Sequence, residues 1–122
     1  MSIQLDMTVD FHGTLEGLQS LSMGLANPVN DALLTVGNKI LDDMRRFTPV
    51  RTGYLLSTES LEQRGFWSFA IYARAFYAVY VEFGTRHMAP RLFMTRAFEL
   101  HKDELAQEIG DAVNMSIADA FG

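Results

Sequence analysis

Residues 77–94, Tyr-Ala-Val-Tyr-Val-Glu-Phe-Gly-Thr-Arg-His-Met-Ala-Pro-Arg-Leu-Phe-Met, constrain this chain more than any other stretch. An aromatic and β-branched run, Tyr77–Phe83, carries a single acid, Glu82. Its composition fits either a strand or a short helical turn. Gly84-Thr85 then reverses the chain, because glycine supplies backbone angles that other residues avoid. A short loop, Thr85–Ala89, leads to Pro90, which is well suited to the first position of a helix. Met94, Phe98, Leu105, Ile109, Val113 and Ile117 mark one face of that helix, predicted to run to about Phe121, with Gly110 a place to bend or divide it. Upstream, Thr48-Pro49-Val50-Arg51-Thr52-Gly53-Tyr54-Leu55 closes an earlier helix, since Pro49 disfavours helical geometry at Thr48.

The remaining pattern completes a single domain over residues 1–122. Ile3, Leu5, Met7, Val9 and Phe11 alternate with polar residues, the period of a half-buried strand. His12-Gly13-Thr14 reads as a turn, and Leu15, Leu18, Leu21 and Leu25 as a short helix. Asn27-Pro28 starts a helix over about 28–47, with Leu33, Val36, Ile40, Met44 and Phe47 inward. Gly37 inside it points to a close approach by another element. Tyr54–Leu61 reads as a strand, Gln63-Arg64-Gly65 as a turn, and Phe66–Ala75 as a strand that alternates poorly, as one covered on both faces would. The predicted class is α+β: a small antiparallel sheet packed with a long first helix (about 28–47) and a long C-terminal helix (about 90–121).

Composition narrows the function. With no cysteine, disulfides and thiolate metal sites are excluded. His12, His87 and His101 lack metal-ligand spacing, no apolar run is long enough to cross a bilayer, and the N-terminus does not read as a signal peptide. The net charge is −5, but all ten basic residues lie between Lys39 and Lys102, while nine of the fifteen acids lie outside that stretch. Such segregation suits opposite-signed faces meeting between neighbouring copies. Arg86 and Arg91, in the loop before the last helix, are the expected basic partners, with Glu104 and Glu108 as acids on one helix face. Nucleic-acid binding ranks last for an acidic chain without a recognition motif. Nine Phe, four Tyr and Trp67 are a heavy aromatic load, and such rings favour interfaces.

Catalytic patterns are absent: there is no Gly-x-Ser-x-Gly elbow, phosphate-binding glycine loop or His-Glu-x-x-His. Glu82 is the one candidate general base, although pairing with Arg86 or Arg91 is the commoner fate of such an acid.

Three blocks, Pro49-x-x-Thr52-Gly53-x-Leu55, Tyr77-Ala-x-x-Val81-Glu82-Phe83-Gly84-Thr85 and Ala89-Pro90-x-x-Phe93, resemble, in order, those of the neck or tail-completion family of long-tailed phages, the gene-ten-like minor structural proteins. The resemblance implies a structural virion protein of the head–tail neck, assembled in the host cytoplasm. It would complete or join the tail as a ring-like homo-oligomer, with other neck and tail proteins as partners and DNA only as cargo. No enzyme activity, cofactor, metal or membrane is implied. The blocks would serve the fold and subunit contacts through Pro49, Thr52, Gly53, Tyr77, Tyr80, Glu82, Phe83, Gly84, Thr85, Arg86, Pro90, Arg91 and Phe93. The chain departs from the family at Leu92, where many relatives carry proline. The alternatives are a tail terminator ring protein and, from a different class, a cytoplasmic enzyme or binding module using a cleft near Glu82.

Overall fold

The computed structural model describes residues 5–10, 26–65 and 68–121. Side chains in the first turn of the first helix, and most beyond Asp111, lie outside that description. So do the predicted turn at 12–14, the helix over 15–25, and Phe66 and Trp67. The described elements are β1 (Leu5–Asp10), α1 (Ala26–Phe47), α2 (Tyr54–Ser57), β2 (Glu59–Gly65), β3 (Ser68–Ala73), α3 (Ala78–Phe83) and α4 (Phe93–Phe121). The α+β expectation holds: a three-stranded antiparallel sheet in the order β1-β3-β2 carries helices on its inner face.

β1 shows why alternation is informative. Leu5 and Val9 are buried and Met7 is half-buried, while Asp6, Thr8 and Asp10 are exposed. The central strand β3 is buried at all six residues, which explains its poor alternation. Leu33, Val36, Ile40 and Met44 of α1 are fully buried against α4 and the sheet. At Gly37 an added Cβ would lie 3.0 Å from Leu61 and 3.1 Å from Phe69, so its lack of a side chain lets the sheet approach. α1 and α4 are also joined by polar contacts. His101 lies between Asp43 and Glu104, and Glu104 also pairs with Lys39. Burial works against the His101 charge, but the bonds to Asp43 and Glu104 outweigh it and raise its pKa above the ordinary 6.5.

Three local expectations are corrected. Tyr54–Leu61 is not one strand. The loop leaves Gly53 at φ +82 and makes the single turn α2, closed by Ser57 N–H to Gly53 O (3.0 Å) and by the Ser57 and Thr58 hydroxyls to Tyr54 O and Leu55 O. Short polar side chains bonding to nearby carbonyls win over strand pairing until Glu59. Gln63–Gly65 is not a free turn: it belongs to β2, with a register irregularity between Gln63 and Gly65. The last helix starts at Phe93 instead of Pro90, for reasons that lie in the site. It continues without a break through Gly110, where nothing lies within 4 Å of an added Cβ. Along α4, Met94, Leu105 and Ile109 are buried and Phe98 is packed against them; the side chains of Val113 and Ile117 are outside the described residues.

Candidate interaction surface

Tyr77–Phe83, open between strand and helix from sequence, is helical. Ala78 N–H bonds to Ala75 O at 3.0 Å, and Val81 N–H to Tyr77 O at 3.2 Å, starting α3. Ala78 and Glu82, four apart, face inward together, which turns Tyr80 and Phe83 out to solvent. α3 stops at Gly84, whose φ of 77° and ψ of 176° suit essentially glycine alone. A Cβ there would lie 2.7 Å from Met88 O and from Pro90 N. Beyond it, Thr85 and Met88 exchange backbone hydrogen bonds at 2.9 and 3.2 Å, closing a tight basic turn.

The chain then returns alongside α3. Arg91 N–H bonds to Val81 O at 2.9 Å and Leu92 N–H to Glu82 O at 3.1 Å. Leu92 has φ +50, and its carbonyl accepts the first bond of α4, from Arg96 at 2.9 Å. A proline at this position has neither that φ nor an N–H to give, so the departure from the family pattern goes with this chain's own path. These bonds hold residues 90–92 outside the helix.

Leucine cannot cap a helix, and Glu82 does so from α3. Its Oε1 accepts Met94 N–H at 2.9 Å; its Oε2 accepts Thr95 N–H at 3.0 Å and the Thr95 hydroxyl at 2.9 Å. Met94 and Thr95 hold the second and third helical positions, the N–H groups a cap residue normally serves, and a negative charge is favoured there. This corrects the expected pairing: neither Arg86 nor Arg91 meets Glu82. Arg86 instead lies against His87, its Nε 3.3 Å from the ring Nε2, and both arginines are exposed.

On the other side lies the Thr48–Leu55 loop, held from below by a second buried acid. Glu59 Oε2 is 2.5 Å from the Thr48 hydroxyl, which is 2.6 Å from Met44 O. The Thr48 hydroxyl has one hydrogen to give, and giving it to the Glu59 carboxylate favours the ionised acid. Burial pushes the Glu59 pKa up to about 7, against smaller opposing effects of Thr48 and Arg45. Thr58 ties α2 to the end of β3 by accepting Ala75 N–H at 3.1 Å.

Between the loop and α3 runs a groove of about 690 Å³, lined by Pro49, Arg51–Leu55, Tyr77, Val81 and Met88. Tyr54 and Tyr77 rings sit 6.3 Å apart, and Phe76 stands edge-on to Tyr77 at 5.1 Å. The first two sequence blocks therefore meet in space. Pro49, Thr52, Gly53 and Tyr77 line the groove; Tyr80, Thr85, Arg86, Pro90 and Arg91 are exposed, Phe83 is exposed at the rim of a separate depression beside Glu82, Glu82 and Phe93 are buried, and Gly84 is half-buried at the turn.

Sequence reasoning did not name Val50, Tyr54, Phe76 or Met88 as interface candidates, and it marked Leu92 only as a departure from the family pattern. Yet among the described residues, seven of the eight exposed large apolar side chains are Val50, Tyr54, Phe76, Tyr80, Phe83, Met88 and Leu92. All lie on segments 48–58 and 74–92. The crowding of rings before Phe83 was the available signal. These two segments carry four arginines, Arg51, Arg74, Arg86 and Arg91, all exposed, and no acid except the buried Glu82. The surface of these two segments is therefore apolar and basic, and Arg51, Tyr54 and Met88 meet in the groove itself. Arg74 is already paired with Glu62 and lies over the Tyr72 ring.

A depression of about 240 Å³ does lie beside Glu82, but both carboxylate oxygens are committed to the start of α4. Among the described residues no group of His, Asp or Glu is arranged to hold a metal ion.

A small α+β domain whose sequence blocks converge on an exposed aromatic and basic face fits the class of phage structural proteins. A family model described as "Bacteriophage HK97-gp10, putative tail-component" matches residues 14–84, more than half of the chain. The chain belongs to this HK97 gp10-like family of phage tail components, a family of structural proteins of the virion that act with other tail proteins. No curated protein and no solved structure matches it.

Proposed function

We propose that this protein is a ring-forming subunit of the phage neck that completes or joins the tail through protein–protein contacts. It assembles in the host cytoplasm, and DNA passes through the ring only as cargo. The observation that carries this reading is the exposure of seven large apolar residues and of Arg51, Arg86 and Arg91 on the two segments that flank the groove. Small monomers seldom leave such a patch uncovered without a function, and Tyr, Phe, Met and Arg are the residues enriched where proteins meet. Copies placed around a channel contact one another through two different faces, and such contacts close into a ring when the rotation fits. None of the described helices is long and apolar enough to cross a membrane.

Complementation of a phage lacking the gene tests this. Tyr80→Ser with Phe83→Ser removes two exposed rings, so the melting temperature should move by no more than a few degrees, roughly the effect of surface changes. Tails should nevertheless remain unjoined by electron microscopy, with few infectious particles. Wild-type yield from this variant would refute the reading.

A further inference from the structure

The face described above needs an acidic partner with an apolar anchor, and the same chain carries one. The eighth exposed large apolar residue is Leu100, on α4. Leu100, Asp103, Gln107, Asp111 and Asn114 recur at helical spacing and are all exposed. Past Leu100 the bases on α4 are Lys102, which is paired with Glu99, and His101, which is held by Asp43 and Glu104. Among the described residues, Asp103, Glu108 and Asp111 make no ion pair. Glu104, by contrast, is held by Lys39 and His101 of its own chain, so it is not the free partner that its position in the sequence suggests.

We propose that the apolar, basic face of one copy receives the acidic stripe of α4 from the next copy, with Leu100 seated among the exposed rings. Asp103 and Asp111 then lie opposite Arg51, Arg86 and Arg91. The contact cannot form within one chain. α3 caps the first turn of α4, so the face lies at the helix start, whereas Leu100 to Asp111 lies about 10–27 Å farther along the axis at 1.5 Å per residue. Face and stripe are thus two different surfaces of one molecule, as a head-to-tail contact requires. Opposite potentials would fix the register, and the buried rings would supply the affinity. This inference rests on the ring reading and names its two surfaces.

The chain has no cysteine, so engineered pairs report cleanly. Met88→Cys with Leu100→Cys, placed in tails by complementation and oxidised, should give a ladder of cross-linked multimers on a non-reducing gel. Either single variant should give none. Completed tails without a ladder would overturn the inference and leave the ring reading intact, which the Tyr80→Ser, Phe83→Ser test decides separately. Charge exchange is the second arm. Arg51→Glu with Arg91→Glu should lower titre about tenfold or more, the factor that 1.4 kcal/mol per contact represents. Adding Asp103→Arg with Asp111→Arg should restore most of it. Failure of this rescue would overturn the inference. So would salt-sensitive binding of a short labelled DNA duplex that the Arg51→Glu, Arg91→Glu variant loses, because the face would then serve nucleic acid.

Discussion

Replacing Glu82 by glutamine keeps the volume and one acceptor oxygen but puts an NH2 group where the second oxygen stood. Whichever way the amide turns, that NH2 faces a donor: Met94 N–H, otherwise 2.9 Å from Oε1, or Thr95 N–H, otherwise 3.0 Å from Oε2. Glu82 is only 1% exposed, so water cannot take over the abandoned bond. One orphaned buried donor costs about 1–3 kcal/mol, and losing the charge at a partly buried helix start costs up to about 2 kcal/mol. Together these span about 1–5 kcal/mol, with about 2–4 kcal/mol the middle of that range. At about 4 °C per kcal/mol for a domain of this size, the melting temperature should fall about 8–16 °C. Thermal unfolding followed by far-ultraviolet circular dichroism, with urea unfolding at unchanged m-value, measures it. A variant melting within about 3 °C of the wild type would show that this carboxylate does not hold the start of α4.

Gly84→Ala should destabilise by about 3 kcal/mol or more, because its Cβ would sit 2.7 Å from Met88 O and Pro90 N at backbone angles that favour glycine alone. Gly53→Ala, at φ +82 with nothing within 4 Å, should lose only about 1 kcal/mol; equal losses in paired melts would refute the steric account. Glu59 should make stability fall as pH rises, since between its ordinary 4.5 and the folded value of about 7 the unfolded chain gives up a proton that the folded chain keeps. Glu59→Gln should therefore gain about 2–4 kcal/mol over the wild type at neutral to alkaline pH and flatten the slope across that window; an unchanged slope in urea melts would refute it. His101 adds a further fall above its ordinary 6.5, because its raised pKa stabilises the fold below that value and the benefit is lost as pH rises through the folded one.

What was legible in the sequence was what periodicity can carry. The alternation from Leu5 to Val9, the stripe Leu33–Met44 and the long last helix each repeat one spacing often enough to reveal a buried face. Gly37 was legible as a close approach because a bare backbone in an amphipathic helix has few other reasons. α2 was not legible: a single turn has no period, and hydroxyl-to-carbonyl bonds from Ser57 and Thr58 decide it. α3 was ambiguous because Tyr, Val and Phe favour strands, while the deciding feature was the inward pair Ala78 and Glu82 four residues apart. The partner of Glu82 was not legible at all. Two of the three bonds to Glu82 come from backbone N–H groups 12 and 13 residues away, which no side-chain type advertises, and the third comes from the Thr95 hydroxyl.

The interaction face is built from loops and one-turn or two-turn helices, elements with little stability of their own. It is nevertheless held in one shape from beneath, by Glu82 at the start of α4, by Gly84 in the turn, by Phe93 in the core, and by the Thr48–Glu59 and Thr58–Ala75 bonds under the loop. A surface held in its binding shape loses less freedom on association, so bracing of this kind raises affinity without adding contacts. Two groups of variants should then separate. Changes at the brace lower melting temperature and assembly together, because the exposed rings lose their support. Changes at Tyr80, Phe83, Arg51 or Arg91 lower assembly alone. If brace variants still folded at the working temperature and assembled at wild-type yield, the face would be binding by adjustment instead of by prior shape, and its affinity would have to come from the rings themselves.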